Sequence, residues 1–127
     1  MEKKAVKHFT DLLVWQKARE LRKEVFSLVK KLPQNEKYNL DFQMRRAACS
    51  ITANLAEGYG RYHYKENIQF CRQSRGSIYE LQDHIITCFD QGYIKEETYN
   101  SLQELILEVI RLMDGYIKFL NNELKKS

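Results

Sequence analysis

The sequence predicts an all-α protein, an antiparallel up-down-up-down four-helix bundle, and three observations indicate this fold. Apolar residues recur at intervals of three and four over four long segments, as in helices with one buried face. The 127 residues include one proline and five glycines, too few for many short strands. The connections are short, which places successive helices antiparallel. A chain of this length is expected to form a single domain, residues 1–127.

The first helix is predicted over residues 11–32. Asp11 is a favourable N-cap, and the helix is expected to end before Pro33, because a proline disfavours helical backbone in the preceding residue. The apolar positions recur at helical spacing with lysine and arginine between them: Trp15, Ala18, Leu21, Val25, Leu28 and Leu32.

The second helix is predicted over residues 40–57, ending at Gly58. Its apolar stripe is Leu40, Met44, Ala48, Ile51 and Leu55. Many of the neighbouring residues are small, namely Ala47, Cys49, Ser50, Ala53 and Ala56. Because small side chains allow another backbone to approach closely, we expect this helix to be the most tightly packed.

The third helix is predicted over residues 64–91, with Gly92 in the left-handed conformation that ends many helices. Its expected inner row is Phe70, Ser74, Ile78, Leu81, Ile85 and Phe89. Gly76 lies in the middle of this helix, where glycine costs about 1 kcal/mol relative to alanine. This position therefore predicts close contact with the small residues of the second helix, and Gly76→Leu is expected to disrupt the fold.

The fourth helix is predicted over residues 95–122 and carries two adjacent apolar rows. The first row is Leu102, Leu105, Val109, Leu112, Tyr116 and Phe119. The second row is Ile106, Ile110, Met113, Ile117 and Leu120. Two rows make a wider stripe than one helix–helix seam needs. Either both rows are buried within one chain, or the second row is a subunit interface.

The charge is distributed unevenly along the chain. Residues 1–79 contain 16 Lys and Arg against 8 Asp and Glu, whereas residues 80–127 contain 5 against 9, so the net charges are +8 and −4. This asymmetry indicates either a basic face for polyanions or complementary contacts between subunits.

Two further features concern the compartment. The longest apolar run, residues 12–15, is far too short for a membrane span or a secretion signal, so no membrane partner is expected. The three cysteines form no Cys-x-x-Cys motif, and reduced, buried thiols in the cytoplasm are expected for Cys49, Cys71 and Cys88.

No pattern indicates catalysis, a cofactor or a metal ion. Glu80 and His84 have the spacing nearest to a ligand pair, but they have no counterpart on another helix. None of the three histidines forms a recognisable arrangement with a serine or cysteine nucleophile. The sequence therefore predicts a protein that is not an enzyme.

One region combines polar, basic and aromatic residues. Asn54, Glu57 and Ser77 are candidates for a buried polar network that fixes helix register, with a ligand site as the alternative. The candidate nucleic-acid-binding residues are Arg45, Arg46, Arg61, Lys65, Arg72 and Arg75. Tyrosines 59, 62 and 64 and His63 surround Arg61 and Lys65, and arginine with exposed aromatic rings is suited to phosphates and bases, although tyrosines at a bundle edge are equally often core residues.

Four motifs in combination resemble the bacterial ribosomal intervening-sequence protein family. They are LVWQKA at residues 13–18, QMRRAACSI at 43–51, NLAEG at 54–58 and GSxxEL at 76–81. The resemblance covers residues 9–120. It implies a four-helix bundle that assembles as a homopentamer, and a related group of retroelement accessory proteins binds nucleic acid and a reverse transcriptase.

The resemblance favours a non-enzymatic homo-oligomer that binds RNA or DNA through the candidate arginines and lysine. The alternative is a protein-interaction scaffold, such as an accessory subunit of a reverse transcriptase or another polymerase. The resemblance also favours a partly intersubunit role for the second apolar row of the fourth helix.

Overall fold

The computed structural model describes residues 5–127, and they form four long helices and no strand. The helices are α1 (Leu13–Val29), α2 (Phe42–Tyr59), α3 (Tyr64–Asp90) and α4 (Glu96–Lys126). Short 3-10 turns at Phe9–Asp11 and Gln34–Glu36 and a π-helical turn at Lys37–Asp41 lie in the connections. The all-α four-helix prediction is confirmed.

Contacts between α2 and α3 run in opposite residue order. The Ser74 hydroxyl donates to the Ile51 carbonyl at 2.7 Å, near the middle of both helices. Farther along α3, the Cys88 thiol donates to the Met44 sulfur at 3.6 Å, near the start of α2. Because rising numbers in α3 meet falling numbers in α2, the two helices are antiparallel.

The same reasoning applies to α3 and α4. The Gln82 amide donates to Gln103 at 2.9 Å, and the Arg75 guanidinium donates to Asp114 at 2.7 Å. These pairs again run in opposite order, so α3 and α4 are antiparallel. α3 therefore has α2 on one flank and α4 on the other.

α1 closes the bundle between α2 and α4. Arg22 donates to the Thr52 hydroxyl at 2.9 Å on the α2 flank, and Lys17 pairs with Glu108 at 3.5 Å on the α4 flank. α1 is therefore diagonal to α3. We call the end that holds the α2–α3 connection the Tyr62 end, and the opposite end the Tyr38 end.

The core lies along the bundle axis and contains most of the predicted stripes. Its fully buried large side chains come from all four helices, including Leu21, Val25, Met44, Ile51, Leu55, Ile78, Leu81, Ile85 and Ile106. Burial of each such side chain contributes roughly 1.5–3 kcal/mol, which makes this axis the main source of stability.

The helix ends differ modestly from the prediction. Asp11 accepts backbone N–H groups of Lys7 and His8 at 3.0 and 3.1 Å, so it stabilises the 3-10 turn before α1. α1 begins at Leu13 as a result. α4 extends to Lys126, beyond the predicted residue 122, and Lys125 and Lys126 lie where cations interact favourably with the helix dipole.

The predicted role of Gly76 is wrong. Gly76 is exposed, and a Cβ atom placed there would have nothing within 4 Å. The close approach between α2 and α3 is instead at Gly58. A Cβ atom at Gly58 would lie 2.6 Å from Asn67 Oδ1 and 2.8 Å from Phe70 Cβ.

The predicted subunit interface on α4 does not match the structure. Ile106 and Met113 are fully buried within this chain and Leu120 is 2% exposed, while Ile110 and Ile117 are half-buried against the same core. The apolar stripe is wide because α4 packs against α1, α3 and the bundle axis at once. The exposed apolar residues of α4 include Leu107, which belongs to neither predicted row.

The cysteines only partly match the prediction. Cys71 and Cys88 are buried, and burial raises the pKa of Cys71 to about 12 and that of Cys88 to about 11. Both thiols therefore remain protonated at neutral pH. Cys49 is exposed on α2, contrary to the expectation of a buried thiol.

Candidate nucleic-acid interface

The six predicted basic residues do not form one surface. Arg46 pairs with Glu80 across the α2–α3 seam, whereas Arg75 pairs with Asp114 across the α3–α4 seam. These seams lie on opposite flanks of α3. Arg45 pairs with Asp41 of the preceding turn, and so belongs to neither seam. Sequence proximity therefore grouped side chains that the fold separates.

Arg46 belongs to a local polar cluster. Its guanidinium also donates to Gln43 Oε1 at 3.1 Å. Glu80 Oε2 accepts a hydrogen bond from Arg46 and lies 3.2 Å from His84 Nε2.

Within residues 5–127, no group of three or more His, Cys, Asp or Glu side chains is arranged so that it could hold a metal ion.

Arg61 and Lys65 lie at the Tyr62 end. The Arg61 guanidinium pairs with Glu57 at 3.0 Å and lies over the Phe70 ring at 5.1 Å. Glu57 is exposed and takes no part in the polar network that was predicted for it, because its carboxylate bonds to Arg61 in the next turn.

The rest of the predicted polar network is present between α2 and α3. The Asn54 amide donates to the Ser50 hydroxyl at 3.0 Å, and that hydroxyl bonds to the Ser77 hydroxyl at 2.9 Å. Asn54 also donates to the Ser50 carbonyl at 2.9 Å. These half-buried groups satisfy one another, which supports the structural interpretation of this cluster.

A set of cations follows the outward side of the α3–α4 seam. Arg75 and Asp114 lie opposite each other there. Arg72 is about one turn from Arg75 and Lys118 about one turn from Asp114, both toward the Tyr62 end, because the helices are antiparallel. Arg72 and Lys118 therefore lie level with each other.

The same register continues in both directions. Lys65 and Lys125 each lie seven residues, about 10 Å, beyond the Arg72–Lys118 level toward the Tyr62 end. Tyr79 and Arg111 lie the same distance toward the other end. We name this set of cations the α3–α4 basic surface: Lys65, Arg72, Arg75, Arg111, Lys118 and Lys125.

The charges of this surface are largely unpaired. Among residues 5–127, Arg75 alone of the six has an ion pair, and the hydrogen bond and charge of Asp114 raise the pKa of Arg75. Glu66 and Glu123 are neighbours of these cations in the sequence, but they pair with residues outside the surface. Glu66 pairs with Arg61, and Glu123 pairs with Lys126. The surface therefore combines six cations with one carboxylate.

The other half of the same helix pair is acidic. Its exposed positions toward the Tyr38 end include Asp83, Asp90, Glu96 and Glu104. The α3–α4 face is thus polarised along the bundle axis. The difference in net charge between residues 1–79 and 80–127 did not predict this polarity, because α4 contributes both cations and carboxylates to the face.

Three members of the α3–α4 basic surface were not among the candidates predicted from the sequence. Arg111, Lys118 and Lys125 lie in the chain half with net negative charge. Their seven-residue spacing could have identified them, because residues seven apart lie on one face of a helix, as Lys65, Arg72 and Tyr79 do on α3.

Aromatic residues line a groove of about 470 Å³ at the Tyr62 end. Its lining includes Tyr59, Tyr62, His63, Tyr64, Tyr116 and Phe119. Tyr62 has a positive φ of 65°, a conformation uncommon for a residue other than glycine.

Two comparisons with known proteins identify relatives. Residues 10–115 match the model of the 23S rRNA-intervening sequence protein family. A crystal structure of a protein of unknown function from the S23 ribosomal protein family of Bacteroides thetaiotaomicron has the same fold, with a TM-score of 0.77 and 23% identity. The match covers 84% of this chain and 96% of that one. No curated protein matches the sequence.

Within residues 5–127, no helix is both long and apolar enough to cross a membrane.

The family match extends over all of α1, α2 and α3 and most of α4. The chain therefore belongs to the 23S rRNA intervening-sequence protein family.

Proposed function

We propose that this protein is a non-enzymatic, cytoplasmic nucleic-acid-binding bundle that contacts RNA or DNA through the α3–α4 basic surface. One observation carries the proposal. The Arg75–Asp114 contact places two rows of cations level with each other, and five of the six cations have no ion pair within residues 5–127.

This arrangement suits a phosphate backbone better than a small anion. The cations extend over about 20 Å along the helix pair, a length that a charged polymer can follow and a small anion cannot. Arg75 also lies over the Tyr79 ring at 5.3 Å, so its guanidinium is held in place at the surface. Phosphate contacts position a nucleic acid without reading its sequence, and we therefore expect little sequence preference.

The test compares two charge-reversal variants in binding to a labelled RNA hairpin. Arg72→Glu/Lys118→Glu reverses one level of the basic surface. Lys23→Glu/Lys30→Glu reverses two exposed cations, one in α1 and one directly after it, that likewise have no ion pair in the described chain. The variants have the same net charge, so they separate the position of the charge from its amount.

We expect the first variant to bind about tenfold or more weakly, because two phosphate contacts become repulsive, and the α1 control to lose far less. Equal losses in the two variants would mean that overall charge drives binding. Full affinity in the first variant would exclude this surface.

Exposed apolar residues favour a second role in self-association or as a scaffold for a protein partner. Leu107 is 60% exposed and Ile86 is 38% exposed, both on the α3–α4 face. Such residues mark interaction surfaces when they are grouped. We propose that the protein is a homo-oligomer, and Leu107→Glu should lower its mass in light scattering if this face joins the subunits.

A further inference from the structure

We propose that the groove at the Tyr62 end binds an unpaired base of a single-stranded nucleic acid whose phosphates lie on the α3–α4 basic surface. This inference rests on the proposed function and adds a preference for single strands. Tyr62, Tyr64 and Phe119 supply the stacking surface.

Three aromatic rings of the groove are exposed to solvent. Tyr62 is 97% exposed, Phe119 54% and Tyr64 39%. Bases stack on tyrosine and phenylalanine whatever their identity, because every base has a π face. In a duplex the bases stack on one another and are unavailable for such contacts.

Tyr62 combines backbone strain with an unpacked side chain. Its positive φ of 65° is unfavourable for a bulky residue, and its ring gains little from packing because it is almost fully exposed. Strain of this kind is concentrated at binding sites. This backbone conformation directs the side chain of Tyr62 from the α2–α3 connection to the lining of the groove.

The groove also contains a polar group suited to a base edge. The Asn67 amide donates to the Tyr116 hydroxyl at 3.2 Å, and Tyr116 lines the groove. That hydroxyl retains its own proton as a donor. Burial raises the pKa of Tyr116 to about 12, so the donor remains present at neutral pH.

The surrounding charge favours a nucleotide as the occupant. Lys7 and His63 line the groove, and no carboxylate does so in the described chain. The groove and part of the α3–α4 basic surface lie at the same end of the bundle, because Lys65 and Lys118 are sequence neighbours of the groove residues Tyr64 and Phe119. A proline-rich peptide can also fit an aromatic groove, but it brings no negative charge to pair with Lys7 or with the α3–α4 basic surface.

The experiment compares two paired aromatic variants by fluorescence anisotropy. Tyr62→Ala/Phe119→Ala removes the two most exposed rings of the groove. Tyr38→Ala/Phe42→Ala is the matched control, because Tyr38 is 88% and Phe42 51% exposed and both lie at the opposite end. The probes are a labelled oligothymidine, an abasic strand of equal length, a duplex and an oligoproline peptide. Thermal melting checks that each variant is folded.

We expect Tyr62→Ala/Phe119→Ala to bind the oligothymidine about tenfold more weakly, the loss of roughly one stacked base, and to bind the duplex normally. The control should resemble the parent protein. The parent should bind the abasic strand about as weakly as the groove variant binds the intact strand.

Other outcomes overturn the inference in distinguishable ways. If the parent binds both strand and duplex but the groove variant is unchanged, the base site is wrong and the proposed function stands. If the parent binds no nucleic acid, both are wrong. Binding of oligoproline that the groove variant loses, with unchanged oligothymidine binding, would assign the groove to a peptide.

Discussion

The two seams of α3 differ in what their polar groups do. Toward α2, serine and asparagine side chains bond to one another or to the backbone, as in the Ser74–Ile51 and Ser50–Ser77 contacts. Toward α4, the outward positions carry cations that mostly lack partners within residues 5–127. Satisfied polar groups fix the register of a bundle, whereas unpaired surface charges leave binding capacity for a ligand.

The largest effect should come from filling the closest approach in the α2–α3 seam. Gly58→Ala places a Cβ atom 2.8 Å from Phe70 Cβ, so the two helices must separate. We expect a loss of about 1–3 kcal/mol in the free energy of unfolding, measured by urea denaturation.

Gly76→Ala is the matched control, because its Cβ atom would meet nothing within 4 Å. It should stabilise the protein by up to about 1 kcal/mol, since alanine favours a helix over glycine. Destabilisation by Gly76→Ala together with tolerance of Gly58→Ala would reverse the described packing.

A smaller effect is expected from removing one hydrogen bond of the same seam. Ser74→Ala deletes the donor to the Ile51 carbonyl and should cost about 1 kcal/mol. Thr87→Ala, which removes a hydroxyl bonded within α3 on its exposed side, should cost less. Urea denaturation of the two variants compares them directly, and equal costs would contradict the special role of the seam.

A substitution in the α3–α4 seam should change the affinity for nucleic acid and leave the free energy of unfolding nearly the same. Asp114→Asn removes the carboxylate among the six cations, and an exposed ion pair contributes at most about 1 kcal/mol. We expect tighter binding to an RNA hairpin, by a few fold, with little change in the unfolding midpoint. Glu108→Gln, on the α1 flank of α4, is the control and should leave binding unchanged.

The smallest effect concerns a contact at the Tyr38 end, outside both seams. The Tyr93 hydroxyl donates to Glu36 at 2.7 Å, and this bond lowers the pKa of Glu36 and raises that of Tyr93. The lowered Glu36 pKa means that its stabilisation is present above the carboxyl's unfolded-state value and is lost as the pH falls through the folded value.

Tyr93→Phe removes this bond, so its melting temperature should be slightly below that of the parent at neutral pH. The difference should disappear in acid, once Glu36 is protonated. It should also fall at alkaline pH, as the pH rises through the raised pKa of Tyr93. A difference that stays constant from acid to alkaline pH would show that the bond does not stabilise the fold.

The fold was largely predictable because helical periodicity reports directly which side of each helix is apolar. The predicted stripe of the second helix is buried residue for residue, and that of α3 is buried except at Phe70 and Phe89, which are half-buried. Periodicity cannot say what covers an apolar side, which is why it leaves both the chain's own core and a subunit interface open for the second row of α4, whereas the structure places Ile106 and Met113 in this chain's core.

The α3–α4 basic surface was less predictable because it depends on the register between helices. Arg46 and Arg75 both belong to the basic half of the sequence, yet they pair across opposite flanks of α3. Lys118 is distant in sequence from Arg72 but lies level with it. Only the contacts between antiparallel helices reveal such neighbours, although the seven-residue spacing of the cations was visible beforehand.

The most direct test of the account is the salt dependence of oligothymidine binding. Each phosphate contact contributes about 0.7 to the slope of log affinity against log salt for a single strand. Arg72→Ala and Lys118→Ala should each lower the slope by about that amount, and Lys23→Ala should leave it unchanged. A slope that falls with Lys23→Ala but not with the other two, or that is flat in the parent protein, would contradict the claim that the α3–α4 basic surface binds nucleic acid.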